Sequence, residues 1–152
     1  MNQPTRLFDL IEYQLENFPQ QRAFVFRHEG HETSYSTQDI ITLSEKISIG
    51  LLQAGIQPDD KIATVVVKNR PEWVAIDIAL LQIGAVHVPV YPTISSSDYT
   101  FIFNQTEVKM CFIGDDAEQS VYKKIQTAQK DIPTLKEIYI LDNGRWTMDV
   151  VQ

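Results

Sequence analysis

Two histidines and two glutamates lie close together early in the sequence, and side chains of these types can bind a metal ion. The segment is His28-Glu29-Gly30-His31-Glu32. Zinc needs three or four such ligands, and the only other histidine, His87, is far away in sequence. The alternative interpretation is a solvated hairpin tip, because polar residues and glycine are typical of turns. The sequence favours the turn.

Cys111 and the acidic pair Asp115-Asp116 are further candidates for chemistry. A nucleophilic cysteine needs a base that lowers its pKa, and no base is near Cys111 in the apolar run 109–113. We therefore predict a buried, unreactive side chain. Asp115 and Asp116 could bind a metal at the end of a strand, but they also precede a predicted helix. Acidic residues at that place cap the first turn, and this is the favoured interpretation.

The sequence contains no recognisable phosphate-binding loop. Ser95-Ser96-Ser97 is rich in hydroxyl groups, but it has no glycine and no lysine at the spacing of a P-loop. A G-x-G-x-x-G segment after a strand and a G-x-S-x-G turn are also absent from the 152 residues. The residues by themselves therefore assign no catalytic, cofactor-binding or metal-binding position.

The first part of the chain predicts two helices and a hairpin. Thr5 is a candidate N-cap for a helix whose apolar residues recur at helical spacing over residues 8–18. A hairpin follows, with its turn at Gly30. Apolar residues spaced by three and four over residues 40–54 then predict a second helix, with Gly55 just after its C-terminus.

From Lys61 onward the pattern predicts strands that alternate with helices. Predicted strands cover residues 62–67, 85–90, 108–113 and 137–141, and predicted helices cover residues 69–84, 95–102 and 117–130. Connections mostly of two to six residues imply βαβ crossovers. We therefore predict an α/β fold, layered as helix, sheet and helix, with a mainly parallel sheet plus an N-terminal β-hairpin. In residues 143–152 we predict a turn followed by the beginning of a further element that is cut short.

The composition is that of a globular protein and limits the expected partners. Apolar residues make up 43% of the 152 residues, and the net charge is −7. This charge would repel a phosphate backbone, so we expect no nucleic acid partner. A single cysteine suits a reducing cytoplasm, and the N-terminus shows no signal peptide. The most apolar stretch, residues 74–90, is too polar for a transmembrane segment.

Two stretches of the chain resemble the AMP-forming adenylating enzymes, the superfamily that includes the acyl-CoA synthetases. Residues 33–40 (Thr-Ser-Tyr-Ser-Thr-Gln-Asp-Ile) are similar to the first core motif of that family. Residues 55–63, the segment Asn69-Arg70-Pro71-Glu72-Trp73 and residues 79–93 are similar to the second core motif and its lead-in. Residues 88–93 (Val-Pro-Val-Tyr-Pro-Thr), together with residues 69–73, look most like the long-chain fatty acyl-CoA synthetases. The sequence departs from the family at Asp59, where the family more often has glycine.

The resemblance covers about residues 5–141 and implies the N-terminal subdomain of an acyl-CoA synthetase-like fold. It implies that residues 1–152 are a partial AMP-binding domain, truncated at its C-terminal end. The parent enzyme would be an ATP-dependent long-chain fatty acid–CoA ligase that uses ATP, Mg²⁺ and CoA. The family's lysine-containing phosphate loop, nucleotide contacts and catalytic lysine have no counterpart here. We therefore expect this chain alone to be inactive and to bind no cofactor. Trp73 is on the apolar side of its predicted helix, so we expect its ring to fill core rather than stack on a ligand.

Two other functional interpretations stay open at this point. One is a self-contained module that binds a small ligand at the carboxyl ends of its strands. The other is a non-catalytic interaction domain. A subdomain cut from its neighbour would expose an apolar face and self-associate. A fatty acid substrate suits a cytoplasmic parent enzyme with peripheral membrane contact, although no basic amphipathic segment here supports that contact.

Overall fold

The computed structural model describes residues 3–28, 30–114, 120–142 and 145–149. The chain divides into two compact units. The hairpin unit consists of the residues up to Pro58 together with Arg70–Ala85. The sheet unit consists of Asp59–Asn69 together with the residues from Val86 onward.

The hairpin unit contains three helices and a two-stranded antiparallel sheet. Its elements are α1 (Asp9–Asn17), β1 (Phe24–His28), β2 (His31–Tyr35), α2 (Thr37–Gln53) and α3 (Pro71–Ile83). Gly30 has φ +80° between the two strands, a left-handed conformation that glycine adopts without a Cβ clash. The predicted hairpin and its turn residue are thereby confirmed.

Helix α1 begins later than its sequence predicted. The N-cap position is occupied by Phe8, whose side chain makes no capping bond, so the prediction of Thr5 as N-cap is wrong. Instead, the Asp9 carboxylate accepts hydrogen bonds from the backbone N–H groups of Thr5 and Arg6, at 3.1 and 2.9 Å. The first helical residue thus reaches back toward the N-terminus and orders the chain that precedes the helix. The Arg6 side chain, which also bonds this carboxylate, holds the pKa of Asp9 well below its usual range.

Helix α2 has a capping motif at each end. At its N-terminus Ser36 and Asp39 form a reciprocal capping box, in which each side chain accepts from the other residue's backbone N–H. At its C-terminus Gly55, with φ +84°, donates to Leu52 O at 3.0 Å, and Ile56 donates to Leu51 O at 3.0 Å. This pair of bonds is a Schellman motif, and it confirms the predicted role of Gly55.

The sheet unit contains a five-stranded sheet in the order β4-β3-β5-β6-β7. Its elements are β3 (Lys61–Val66), β4 (Val86–Pro89), α4 (Ser96–Thr106), β5 (Val108–Gly114), α5 (Ser120–Gln129), β6 (Glu137–Asp142) and β7 (Arg145–Asp149). The first four strands in this order are parallel, and β7 is antiparallel to β6. The predicted α/β class, mainly parallel sheet and N-terminal hairpin are confirmed, whereas β7 was not predicted. In the described residues, no helix of either unit combines the length and apolarity needed to cross a membrane.

The core of the sheet unit lies between one face of the sheet and helices α4 and α5. Register places Ala63, Cys111 and Ile138 side by side on β3, β5 and β6, and all three side chains are buried. The helices contribute fully buried side chains to the same cluster, including Phe103 from α4 and Ile125 from α5. In β3 the four consecutive residues 62–65 are buried, so both faces of this strand are covered, and such parallel strands are rich in β-branched residues.

Strand β4 forms one edge of the sheet and ends at Pro89. The N–H group of Val86 donates to Asp60 O, just before β3, at 2.8 Å, and that of Val90 donates to Thr64 O on β3 at 2.9 Å. Because alternate residues of a strand face the same neighbour, the backbone nitrogen of Pro89 faces away from β3. Proline has no N–H to lose there, which explains its place on an edge strand.

We expect Asp59→Gly to stabilise the chain slightly. Asp59 is exposed and has φ +67°, the left-handed backbone conformation that glycine adopts most easily. Relief of this strain is partly offset by the greater freedom of glycine in the unfolded chain, so the expected gain is about 0.5 kcal/mol. Thermal unfolding measures it. The control Asp59→Val should lose about 1–2 kcal/mol, and an unchanged melting temperature for that variant would contradict the assignment of strain.

We also expect Thr134→Val to raise the free energy of unfolding by about 0.5–1.5 kcal/mol. In the described part of the chain, Thr134 Oγ1 is the buried side-chain oxygen or nitrogen that has no hydrogen-bond partner. Valine has nearly the same shape and removes the unsatisfied hydroxyl. Urea unfolding measures the change. Thr134→Ser keeps the hydroxyl and loses the methyl group, so it should destabilise, and a gain from serine would refute this explanation.

Candidate functional site

The direction of chain connection reverses at β3, and this reversal marks a candidate ligand site. From β3 the chain leads to β4 on one side, and from β4 it leads past β3 to β5 on the other. In open α/β sheets, ligands bind outside the carboxyl ends of the strands at such a reversal. The residues placed there are 67–69 after β3, which are exposed, and 90–95 after β4. We call residues 90–95 the switch loop.

The switch loop is fixed by β3 and by α4. At its start Val90 donates to Thr64 O on β3 at 2.9 Å. One residue later, the buried Tyr99 of α4 donates from its hydroxyl to Tyr91 O at 3.1 Å. At the end of the loop Ser95 forms the capping box of α4 with its N3 residue. Both ends and the second residue of the loop therefore have defined partners.

A lysine from α5 holds the middle of the switch loop. The Lys124 ammonium group donates to Ile94 O at 3.0 Å and to Pro92 O at 3.5 Å. Lys124 is half-buried, so these carbonyl groups satisfy a charge that is partly removed from water. Tyr91, in contrast, is 80% exposed. The loop is thus held from behind while one aromatic ring points into solvent.

A histidine and a threonine connect the two strands next to the switch loop. Thr64 Oγ1 on β3 and His87 Nε2 on β4 are 2.7 Å apart. Thr64 is buried and His87 is half-buried. His87, the third histidine of the sequence, therefore has Nε2 engaged with a neighbouring strand. This arrangement ties β3 to β4 through one ring nitrogen of His87.

The histidine-rich hairpin tip is structured by ion pairs. His28 and His31 are opposite each other in the register of β1 and β2. The Glu32 carboxylate binds Arg22 and Arg27, with Arg27 Nε at 2.8 Å from Oε2. The hydrogen bond from Arg27 is the main reason that the pKa of Glu32 lies below its usual value. Glu32 is therefore committed to arginines, and in the described residues no three metal-ligating side chains form a group. Residue 29 lies outside the described residues.

The other candidate residues have structural surroundings. Cys111 is fully buried, and burial raises the pKa of its thiol, as expected for an unreactive side chain. Ser95 accepts from Asp98 N–H and bonds Ser97 Oγ at 2.8 Å, so this hydroxyl-rich segment starts α4. Asp115 and Asp116 lie outside the described residues, and their predicted capping role stays a prediction.

Sequence reasoning missed a buried ionic cluster in the hairpin unit. Arg70 binds both carboxylate oxygens of Glu72, with Nε–Oε2 and Nη2–Oε1 distances of 3.0 Å. Tyr35 donates from its hydroxyl to Glu72 Oε1 at 3.2 Å, and the Arg70 guanidinium lies 5.7 Å from the Phe26 ring centroid. Both charged residues are buried, at 6% and 8% exposure. The cluster joins Tyr35, in the segment 33–40 that resembles the first core motif, to the start of α3. Trp73, in the first turn of α3, is half-buried.

The pKa directions in this cluster follow from burial and pairing. Burial by itself would raise the pKa of Glu72, but the hydrogen bonds from Arg70 and Tyr35 outweigh it and lower the pKa. Burial and the adjacent Glu72 carboxylate raise the pKa of Tyr35. Glu72 is therefore ionised and fully engaged at neutral pH. The cluster is suited to fixing the hairpin on the start of α3, and it has no free base for proton transfer.

The described residues do not fit a nucleotide–magnesium complex by themselves. Such a complex needs carboxylates or carbonyl groups for the metal and several cationic or N–H donors for the phosphates. In the parts of the chain that the structure describes, no cluster of three potential metal ligands exists. At this end of the sheet the Lys124 ammonium group is bound to backbone carbonyls, and Lys68 lies in the exposed segment 67–69. No step of phosphate chemistry is therefore assigned to this chain.

Comparisons with known proteins agree with this fold. The family model for the AMP-binding enzyme matches residues 11–151. Long-chain-fatty-acid–CoA ligase 1 from Cavia porcellus is 34% identical over 109 residues, which are 71% of this chain and 16% of that protein. The human protein of the same name is 32% identical over 108 residues, 70% of this chain and 15% of that protein.

A solved structure shows the same architecture. A long-chain-fatty-acid-CoA ligase from Archaeoglobus fulgidus aligns with a TM-score of 0.77 at 19% identity, over 93% of this chain and 28% of that chain. At this identity the likeness concerns the fold alone. The matched region is a small part of the curated relatives, since the chain spans about a sixth of their length. Because the family model matches nearly the whole sequence, the chain belongs to the AMP-binding enzyme family.

Proposed function

We propose that this chain is the N-terminal part of an ATP-dependent, AMP-forming long-chain fatty acid–CoA ligase. The complete enzyme adenylates the fatty acid carboxylate with ATP, releases pyrophosphate, and then transfers the acyl group to the CoA thiol with release of AMP. The observation that carries the proposal is the family match over residues 11–151, together with 34% identity to a long-chain ligase. The resemblance of segments 69–73 and 88–93 to long-chain members supports the choice of substrate.

Within that enzyme, residues 1–152 act as a partial AMP-binding domain that supplies scaffold. Carboxylate attack on a triphosphate requires N–H donors, lysine and Mg²⁺ around the spreading negative charge. Two buried or half-buried cations are bound to partners within the chain, Arg70 to Glu72 and Lys124 to the switch loop. The chain alone is therefore expected to be inactive. We further propose that the complete enzyme is cytoplasmic and peripheral to the membrane.

An ATP–pyrophosphate exchange assay tests the proposal in two parts. The complete protein that contains this chain should show exchange that depends on a long-chain fatty acid and Mg²⁺, and should form acyl-CoA when CoA is added. Residues 1–152 alone should show no exchange above the blank. Turnover by the isolated chain would refute its role as scaffold. If exchange by the complete protein does not depend on a long-chain fatty acid, the proposed substrate class is refuted.

Thermal unfolding separates this function from a self-contained ligand module. ATP should leave the melting temperature of the isolated chain unchanged, because the described residues form no nucleotide site. A ligand at one hundred times its dissociation constant would stabilise the folded state by about 2.7 kcal/mol, which is easily measured. Stabilisation of that size by a nucleotide would favour the ligand module instead.

A further inference from the structure

The hairpin formed by β1 and β2 has little packing of its own. In the described part of the chain it is a sheet of two strands, and residues 31–34 of β2 are exposed, so both faces of this strand are in contact with water. A two-stranded hairpin is marginally stable unless it packs on a neighbouring element. Phe24, Phe26 and Tyr35 are half-buried and can provide such packing.

Two of these side chains contact the ion pair at the start of α3. The Tyr35 hydroxyl donates to Glu72 Oε1 at 3.2 Å, and the Arg70 guanidinium lies 5.7 Å from the Phe26 ring centroid. Arg70 is the N-cap residue of α3 and Glu72 is in its first turn, so both charges belong to one short segment. They bind each other through two bonds of 3.0 Å. Separation of the hairpin from α3 would therefore leave no charge without its partner.

Burial of this ion pair opposes closure of the hairpin. Ionised groups lose favourable hydration when they are buried, and Arg70 and Glu72 are only 6% and 8% exposed. If the hairpin separated from α3, both groups would regain water, which would offset part of the lost hydrogen bond and ring contact. Closure therefore depends on a small difference between opposing contributions.

Helix α2, in the same unit, has none of these weaknesses. It buries seven residues along its length, and its two ends carry the capping box and the Schellman motif described above. Segments with few buried contacts open at a lower free energy than segments of this kind. The hairpin is thus expected to open while α2 stays folded.

We propose that the β1–β2 hairpin is an element that opens separately from α2, and that the Tyr35–Glu72 hydrogen bond is the latch that holds it closed. In the open state residues 24–35 leave α3, and the Arg70–Glu72 pair becomes accessible to water. A hydrogen bond to an ionised group changes such an equilibrium by about ten- to hundredfold. This device belongs to the folded chain itself and holds whatever substrate the complete enzyme takes.

Residue-resolved amide hydrogen exchange of residues 1–152 tests separate opening. The hairpin is represented by its hydrogen-bonded amides, such as that of Ala23, which donates to Tyr35 O at 2.9 Å. After correction for intrinsic rates, these amides should exchange at least about tenfold faster than those of residues 41–51 in α2. Equal protection of the two segments would overturn the proposal, because the hairpin would then open only together with α2.

Tyr35→Phe tests the latch, because it removes the hydroxyl group and keeps the ring. The hairpin amides should exchange about ten- to hundredfold faster than in the wild type, whereas the amides of residues 41–51 should change by less than about twofold. Ser34→Ala is the matched control, since Ser34 is exposed on the same strand and also loses a hydroxyl group. Its hairpin amides should stay within about twofold of the wild type.

Each of the other outcomes contradicts one part of the proposal. If Tyr35→Phe leaves the hairpin amides unchanged, the hydrogen bond to Glu72 is not the latch. If this variant accelerates the amides of the hairpin and of α2 equally, the hairpin is not a separate opening element. If Ser34→Ala accelerates the hairpin amides as much as Tyr35→Phe does, loss of any hydroxyl group loosens the strand, and the contact with Glu72 is not the cause.

Discussion

Phe103→Ala is expected to destabilise the chain by about 3–5 kcal/mol. Phe103 is fully buried in the cluster between the sheet and helices α4 and α5. Its ring lies edge-on to Tyr99, with centroids 5.7 Å apart. Alanine would leave a cavity lined by rigid neighbours and remove this aromatic contact, so both transfer and cavity terms add to the loss. Urea unfolding followed by far-UV circular dichroism measures it.

Phe101 is the matched control for this prediction. It is on the same helix, two residues away, and is 69% exposed. Phe101→Ala changes the same side chain in the same element but is expected to stay within about 0.5 kcal/mol of the wild type. Similar losses for both variants would show that the helix, rather than the buried ring, determines the stability of this unit.

Arg70→Met is expected to cost about 3–5 kcal/mol, because it leaves the Glu72 carboxylate buried without its main partner. The native pair is bidentate, with two distances of 3.0 Å, and both side chains are almost inaccessible. Methionine matches arginine in length but donates no hydrogen bond. The double variant Arg70→Met/Glu72→Leu removes both charges and should recover most of the loss, since apolar pairs often replace buried ion pairs at little cost. A double variant as unstable as the single one would contradict this explanation.

The same pair gives stability a defined dependence on pH. The pKa of Glu72 is lower in the folded chain than its unfolded value of about 4.3, so the unfolded state binds the proton more readily. The contribution of Glu72 is therefore complete above pH of about 4.3 and is lost as the pH falls through the lower, folded pKa. Measurements of unfolding free energy against pH should show this loss in the wild type and a flatter acid limb in Glu72→Gln. Identical slopes for the two proteins would contradict it.

Local signals along the chain are sufficient to predict most elements. Gly55 ends α2 as predicted because the C-terminal carbonyls of a helix need a left-handed residue, a requirement that depends on a few neighbours only. Ser95 starts α4 for a similar reason, through its bond with Asp98. The alternation of strand and helix from Lys61 onward is also a short-range pattern. A parallel sheet follows from it because such connections cross over between parallel strands.

Long-range packing decides what the sequence pattern could not. The sequence contains the run Phe101-Ile102-Phe103, and apolarity does not show that the last ring is buried while the first is exposed. Strand β7 pairs with β6 through backbone bonds. Its residues 145–149 alternate polar and apolar as a half-buried strand does, but the run is only five residues long. Asp9, and not Thr5, orders the start of α1, because the Asp9 carboxylate accepts hydrogen bonds from the backbone N–H groups of Thr5 and Arg6.

The candidate site shows the same limit. Tyr35 and Glu72 are 37 positions apart, and only the fold brings their side chains within 3.2 Å. An isolated arginine or glutamate is usually a surface residue, so Arg70 and Glu72 gave no sign of burial. Lys124 lies 30 residues from the carbonyl group it binds. Side-chain types and spacing reveal caps and turns, whereas contacts of this range require the tertiary structure.

Pro89 also determines how the sheet can grow. A further strand that paired with the outer edge of β4 would need backbone N–H groups of β4 as hydrogen-bond donors. The nitrogen of Pro89 faces this edge and carries no hydrogen, so one of these donors is missing. Fibril-like stacking or strand exchange between molecules is consequently disfavoured at β4, even when this part of the protein is produced separately. The ring of Pro89 is thereby expected to make pairing with a further strand along β4 less favourable.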